Sequence, residues 1–402
     1  MARPDKMQPE TLDWRTIAIH TGNTHMGGAI RTPITMANSY ELPEDPTTVN
    51  WSGTDTLLYT RNTGVNQRDL QQRLAALEGA EDAVVLASGV AALHAVFFSV
   101  LSAGDHVICT DIGYVALRRL LADLLPKKYG IQATFVDTSD PGAVRAAIRP
   151  ETKLIHTEVI ANPTNRVADI NALAGIAHEA GTLLSVDSTF TPPGWYWPLR
   201  DGADLVVHSL TKYVNGHGDA MGGAVLGHRE LIDPIRADVQ VDVGGVISPF
   251  NAWLITRGLV TMPLRLRQHA ESAQAIAEFL ASRPEVARVD YPGLPHHPQY
   301  DVAQRQFPHG AGGMIAFTLK GDATLQNRFV SELRVVTSAV SLGHDESLIV
   351  QVSKDEPHTE NFAPIYQRNG LLRFSVGLEH TQDLIDDLAA ALDAVAPGIA
   401  AD

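Results

Sequence analysis

The sequence predicts an α/β fold: a mostly parallel sheet forms its larger part, and a smaller α+β unit follows towards the C-terminal end. Three observations carry this. Between His106 and Gly227, short apolar runs alternate with helical patterns, the arrangement of a sheet covered by helices on both faces. The helices are punctuated accordingly, with Pro141 suited to a first turn and Gly181 to a C-terminal cap. Finally, the apolar run Asp204 to His208 ends in Ser209, Thr211, Lys212 and a glycine-rich turn. That puts a lysine at the carboxyl end of a strand, where open α/β sheets hold their ligands.

A chain of 402 residues is long enough for two domains. Its apolar fraction of 45% is that of an ordinary globular protein. The formal charge of −15 argues against a nucleic-acid surface or an anionic membrane surface as partner. Cys109 is the only cysteine, so no internal disulfide can form, and a reducing cytoplasm fits. The polar stretch Met1 to Glu10 has no signal-peptide core, and no apolar run approaches membrane-spanning length, so a cytoplasmic protein is expected.

In chain order, residues 1 to about 60 show no strong period and read as an irregular arm. Asp69 to Gly79 reads as a helix with a glycine stop, because Leu70, Leu74 and Leu77 share a face. Ala83 to Ala92 passes from an apolar run through Ser88-Gly89 into a helical pattern that ends near Leu101. A glycine at a helix start lets backbone N–H groups approach an anion, though a tight turn of small residues reads the same way. Strands are then expected at His106–Cys109, Ala133–Val136, Leu154–Ile160, Leu183–Val186, Asp204–Val207 and Gly223–Leu226, with helices at Pro141–Arg149 and Ile170–Ala180. No Gly-x-Gly-x-x-Gly follows any of these runs and there is no P-loop, which disfavours a dinucleotide enzyme or an NTPase. Asn251 to Pro284 is strongly helical and carries Arg257, Arg265 and Arg267. Pro292, Pro295 and Pro298 surround His296-His297 in what reads as a solvated loop without a metal-ligand pattern. Strands at Gly313–Leu319, Val335–Val340 and Leu371–Val376 and a helix at Thr381–Val395 complete the chain.

Lys212 is the chemical centre of this plan. A lysine rising from an apolar floor is poorly hydrated, so its pKa should fall, and a partly neutral amine can attack a carbonyl. On this stretch alone, a solvated surface lysine is an equal reading. The pattern Ser-x-Thr-Lys-Tyr-x-Asn-Gly-His-x-Asp, from Ser209 to Asp219, resembles the cofactor-lysine motif of the Cys/Met-metabolism enzymes that use pyridoxal 5′-phosphate (PLP). These are fold-type-I, aspartate-aminotransferase-like proteins. The resemblance runs from Thr16–Gly22 and Gly28–Ile34 to the last helix, with the motifs in family order. It implies an arm (1–60), a PLP-binding large domain (61–255) and a C-terminal α+β domain (256–402).

The resemblance also assigns roles. Lys212 holds PLP. Asp187, ending a strand, keeps the pyridine nitrogen protonated so that the ring is an electron sink. Gly89 and Val90 bind the phosphate through main-chain N–H groups, with Ser209 and Thr211 as hydroxyl donors. Tyr59 and Arg61 match a Tyr-x-Arg pair that crosses to the phosphate of a neighbouring subunit, which implies an obligate dimer and, in relatives, a homotetramer of two such dimers. Tyr114 stacks on the cofactor ring and helps protonate the leaving group. Asn162, Ser341 and Arg373 receive the substrate, with Arg373 holding its α-carboxylate bidentately. Taken singly, most of these residues have blander readings: an exposed loop pair, a half-buried tyrosine, an Asn-Pro turn, a strand-end cap and an edge-strand charge.

The chain departs from the family at several points. Gly64-Val65-Asn66 stands where relatives have Asn-Pro-Thr, and Ser188 where they usually have Asn. Val115, Ala116 and Leu117 replace glycines and a threonine, and Ala116 falls where methionine γ-lyases carry a cysteine. Val350 falls where cystathionine-handling relatives place a glutamate, within a divergent segment 349–358. The expected activity is PLP-dependent γ-elimination of a sulfur-containing amino acid, methionine γ-lyase-like, giving 2-oxobutanoate, ammonia and a thiol. The alternatives are γ-replacement on an activated homoserine, a cystathionine or cysteine β-lyase, and a PLP-binding protein with little turnover.

Overall fold

A computed structural model describes residues 11–23, 26–49, 56–352 and 359–398. Among them run twelve strands: β1 (Asp82–Leu86), β2 (His106–Thr110), β3 (Gln132–Val136), β4 (Thr152–Glu158), β5 (Leu183–Asp187), β6 (Leu205–Ser209), β7 (Gly223–Gly227), β8 (Val286–Asp290), β9 (Met314–Leu319), β10 (Thr337–Ser338), β11 (Leu348–Val352) and β12 (Leu371–Ser375). The chain divides into two compact units, residues 1–102 with 183–263 and residues 103–182 with 264–402.

In the first unit the strand order is β1-β7-β6-β5. β5 pairs with β6 in parallel, whereas β7 runs antiparallel to both β6 and β1. Three of the four strands therefore point the same way and bring their carboxyl ends to one edge. The helix Gly89–Val100 packs on β6 and β7 through Ala92, Ala95, Val96 and Phe97, which are fully buried. The helix Val65–Glu78 seals β1 with Leu70, Leu74 and Leu77, each such side chain contributing about 1.5–3 kcal/mol of hydrophobic stabilisation. This helix begins four residues before the expected Asp69. Gly64 enters it in extended conformation, and Asn66 is drawn into the first turn by accepting from Thr35 N–H (2.8 Å) and donating to the Pro33 carbonyl (3.0 Å). The arm is likewise more regular than its sequence suggests, since Asp13 caps a helix at Trp14–His20.

In the second unit, β4, β2 and β3 form a parallel set, and β10-β11-β12-β9-β8 form a five-stranded sheet that is antiparallel apart from its β10–β11 edge. The expected strand Val335–Val340 shrinks to the exposed Thr337–Ser338, which pair in register with β11 at the sheet edge, while beyond them Ala339 N–H adds one bond to the Ile349 carbonyl (3.1 Å). β8 and β11 were not foreseen, since their alternation is interrupted by charged or polar residues such as Arg288 and Gln351. The His296-His297 loop is not wholly solvated: His297 is buried and donates from Nε2 to the Asn165 carbonyl (3.1 Å). The helix Pro249–Ser282 spans the boundary between the units, which falls just after its internal Pro263.

Candidate active site

β6 is buried as far as His208, and Ser209 is its first partly exposed residue. The turn after it is held by short-range hydrogen bonds: Lys212 N–H to the Ser209 carbonyl (3.2 Å), Asn215 N–H to the Leu210 carbonyl (3.0 Å) and Gly216 N–H to the Lys212 carbonyl (2.7 Å). Tyr213 and Val214 are buried, so Lys212 emerges half-buried from an apolar base, as its sequence context predicts. Thr211 is tied to the neighbouring turn, where its Oγ1 accepts from Gly222 N–H at 3.2 Å. Under the sheet, His208 Nε2 donates to Glu78 Oε2 at 3.2 Å, both residues fully buried, which pins the end of β6 to the helix Val65–Glu78.

Gly89 opens its helix behind the N-cap Ser88, whose hydroxyl accepts from Ala91 N–H at 3.1 Å. A Cβ at Gly89 would lie 2.7 Å from Ser209 Cβ, and one at Gly223 would lie 2.1 Å from the Ser88 carbonyl oxygen. Only glycine permits this closeness. The half-buried Gly89 and Val90, at the positive end of a helix, thus stand directly beside the Ser209 hydroxyl.

Asp187 ends β5. Its Oδ1 accepts from Thr189 N–H (2.9 Å), and Thr189 Oγ1 accepts from Ser209 N–H (2.8 Å). Thr189 thus links the carboxylate to the hydroxyl-bearing turn, a role not read from the sequence, although a threonine two residues after an aspartate is an Asx-turn signal. Burial pushes the Asp187 carboxyl above its ordinary range, against the pull of the Thr189 hydrogen bonds and of His208. A desolvated carboxylate of this kind is stabilised by a cationic N–H partner, which a protonated pyridine supplies. Lys212, Asp187 and the helix start at Gly89 all lie in one unit, and their chemistry fits PLP.

Tyr59 and Arg61 stand apart from this cluster. Both are exposed, and the Arg61 guanidinium lies 5.6 Å from the Tyr59 ring centroid. Gln240 fixes their loop by donating to the carbonyls of Arg61 and Asn62, each at 3.0 Å.

In the other unit, Arg373 is the one partly exposed residue of β12. Its Nη1 donates to Asn162 Oδ1 (3.1 Å) and its Nη2 to the Ser341 carbonyl (3.0 Å). Ser341 reaches Arg373 through its backbone, at a left-handed φ of 84°, while its hydroxyl lies 3.1 Å from His344 Nε2. Opposite Arg373 in register stands Val350. Tyr114 precedes the short helix Val115–Arg119 and is 41% exposed, leaving its ring accessible. Its N–H donates to Glu158 Oε1 (2.6 Å), and Asn162 N–H donates to Glu158 Oε2 (2.7 Å). Glu158 therefore holds both residues at once. The sequence offered only one sign of this, an acid at the end of an apolar run four residues before Asn162.

The model of the Cys/Met metabolism PLP-dependent enzymes matches residues 15–393. Canavanine γ-lyase of Pseudomonas canavaninivorans is 59% identical over 395 residues, covering 97% of this chain and 99% of that protein. L-methionine γ-lyase of Porphyromonas gingivalis is 39% identical, covering 94% and 97%. The crystal structure of metB from Corynebacterium glutamicum superposes with a TM-score of 0.89 at 35% identity, covering 97% of this chain and all of that one. By the match over residues 15–393 and by these identities, this chain belongs to the Cys/Met metabolism PLP-dependent enzymes.

Proposed function

We propose that this enzyme catalyses γ-elimination on an amino acid whose γ-carbon bears an oxyguanidino group, with canavanine as the substrate. The observation that carries the reading is the far greater identity to a canavanine γ-lyase than to a methionine γ-lyase over nearly the whole chain. The departures at the leaving-group end are compatible with it. Val350 supplies no carboxylate for a distal ammonium, and an oxyguanidine needs one less than an amine does, because its oxygen withdraws electrons and weakens the base.

Lys212 would hold PLP, and its amine is the base that moves the substrate α-proton further along the substrate's carbon chain. Asp187, steadied by Thr189, holds the pyridine nitrogen protonated. Gly89 and Val90 N–H groups with Ser209 and Thr211 take the phosphate. Arg373 takes the substrate α-carboxylate with Asn162 and Ser341 beside it, and the Tyr114 hydroxyl protonates the departing oxygen. Bound PLP supplies the electron sink that lets a γ-substituent leave. The Cγ–O bond breaks and hydroxyguanidine departs with the proton. The four-carbon remainder is hydrolysed to 2-oxobutanoate and ammonia, or takes up water at Cγ to give homoserine. Tyr59 and Arg61 serve the phosphate of a neighbouring subunit in a homotetramer. The arm is 1–60, the cofactor domain 61–255 and the C-terminal domain 256–402.

A sulfur amino acid is the second reading, favoured by the Gly216-His217-Gly218-Asp219 form of the lysine motif. Product release from canavanine, methionine, cystathionine and O-acetylhomoserine separates the two. Canavanine should exceed methionine in kcat/KM by about 100-fold, a margin that a site matched to a polar side chain can reach. Faster thiol release from methionine would return the sulfur reading. Pyruvate from cystathionine would indicate a β-lyase, and turnover of O-acetylhomoserine only with added nucleophile a replacement enzyme. Lys212→Ala should abolish turnover of every substrate.

A further inference from the structure

The first unit contains a cavity of about 380 Å3, and none of the residues assigned to cofactor or substrate lines it. Its walls include Arg31, Asp69, Arg73, His217, Trp253 and Arg257. We propose that it is a binding site for a small organic carboxylate with a short apolar body.

Arg73 carries the argument. It is 1% exposed, and its guanidinium donates to the Ala18 carbonyl and to Asn23 Oδ1, while its Nε–H has no hydrogen-bond partner among the described residues. A buried guanidinium with an unmet donor is costly unless an anion reaches it. Burial and repulsion from Arg31 draw the Arg73 pKa down to about 10. Among the described residues Asp69 is the single carboxylate in the wall; burial pushes it up to about 6 against the pull of Arg68 and Arg73, and one carboxylate offsets only part of three guanidinium charges. An entering carboxylate would offset more of that charge and engage a guanidinium fork. The volume exceeds what a bare oxyanion fills and lies in the range of small-molecule sites. Trp253 and Val260 supply an apolar wall for the rest of such a ligand. Trp253 is fixed in place by donating from Nε1 to the Thr32 carbonyl at 3.0 Å.

The site adjoins the turn that carries Lys212. His217 donates from Nδ1 to the Asn215 carbonyl (2.6 Å), and Gly216 N–H bonds the Lys212 carbonyl (2.7 Å). The helix bearing Arg257 packs on the same turn so closely that a Cβ at Gly258 would lie 2.1 Å from the Asn215 oxygen. Occupancy is therefore felt where the cofactor is anchored.

The test is calorimetric titration of the PLP-loaded enzyme, in its native assembly, with butanoate, hexanoate and inorganic phosphate, the cofactor absorbance being followed in parallel. Saturable binding of the carboxylates, tighter than that of phosphate, is expected. Arg31→Ala and Arg257→Ala should each weaken it by about tenfold or more, the loss of one charged hydrogen-bond donor. Val260→Phe, which fills the cavity without removing charge, should weaken it as well. Arg373→Ala should leave it intact. Unchanged assembly mass and unfolding temperature identify the variants as folded. The proposal is overturned by the absence of saturable binding up to about 10 mM, by phosphate binding as tightly as the carboxylates, or by binding that is lost in Arg373→Ala and kept in the other variants.

Discussion

Glu158 offers the sharpest test of how the second unit positions its reactive groups. Each of its carboxylate oxygens accepts one backbone N–H, from Tyr114 at 2.6 Å and from Asn162 at 2.7 Å. The residue is only 6% exposed, so water cannot readily replace either acceptor. Hydrogen bonds to a charged group contribute about 1.5–3 kcal/mol each. Glu158→Gln keeps the shape but turns one oxygen into an NH2 group that faces an N–H donor. One bond is lost, one buried donor is left unmet, and the Tyr114 or Asn162 backbone must shift. If that shift is felt at the Tyr114 hydroxyl as proton donor, the same 1.5–3 kcal/mol corresponds to a fall in kcat of about 10- to 100-fold, with KM changing less. The assay is steady-state product release for Glu158→Gln, Tyr114→Phe and the double variant. A residue acting through Tyr114 gives a double variant no slower than Tyr114→Phe alone. Multiplicative losses, or an unchanged kcat in Glu158→Gln with the protein folded, would refute the reasoning.

Three further outcomes follow from the geometry. Asp187→Asn should retain PLP on Lys212, seen as cofactor absorbance, yet lose about 1000-fold or more in kcat, because a neutral amide cannot hold the pyridine nitrogen protonated; Thr189→Val, which removes the link to Ser209 and the hydroxyl beside Asp187 but keeps the Thr189 N–H, should lose far less. Arg373→Lys should raise KM about 100-fold through loss of the bidentate fork, and an amine substrate lacking the α-carboxylate should not distinguish the variant from the parent. His269 is fully buried, donates to the Val376 carbonyl at 2.8 Å and is pushed by burial from 6.5 down to about 4. The unfolded chain thus binds a proton here that the native one refuses, so stability should fall by about 3 kcal/mol as pH drops from 6.5 towards 4 and stay level above 6.5. Thermal unfolding of His269→Gln between pH 7 and 5 should show a shallower decline than the parent.

What could be read before folding was whatever is encoded locally. The apolar runs that became β2, β3, β5, β6 and β7 lie within a residue or two of their observed ends, because the strands of a helix-covered sheet are nearly continuously apolar, as the parallel β2, β5 and β6 and the antiparallel β7 are. The helix Thr381–Val395 was legible to the residue from its apolar stripe. Lys212, Asp187 and Gly89 could be proposed from the sequence because the chemistry asked of them demands a particular residue type beside a particular element, and each does stand at or just past the end of a strand or at the start of a helix. Elements whose stability comes from neighbours were not. β8 and β11 are strands by virtue of pairing with β9 and β12, and Val335–Val340 fails as a strand because too little of it is paired. The same division runs through the candidate site. A residue proposed to meet the cofactor is suggested by its type, whereas Thr189 and Glu158 stand out only by what they hold. Thr189 bonds Ser209 from 20 residues away, and Glu158 bonds Tyr114 from 44. Arg73 likewise reads as one more cation on an amphipathic helix. Only the closing of the arm around it, with Ala18, Asn23 and Arg31 brought alongside, makes it a buried charge with an unmet donor. Such contacts join residues far apart in the chain, and no local pattern carries them.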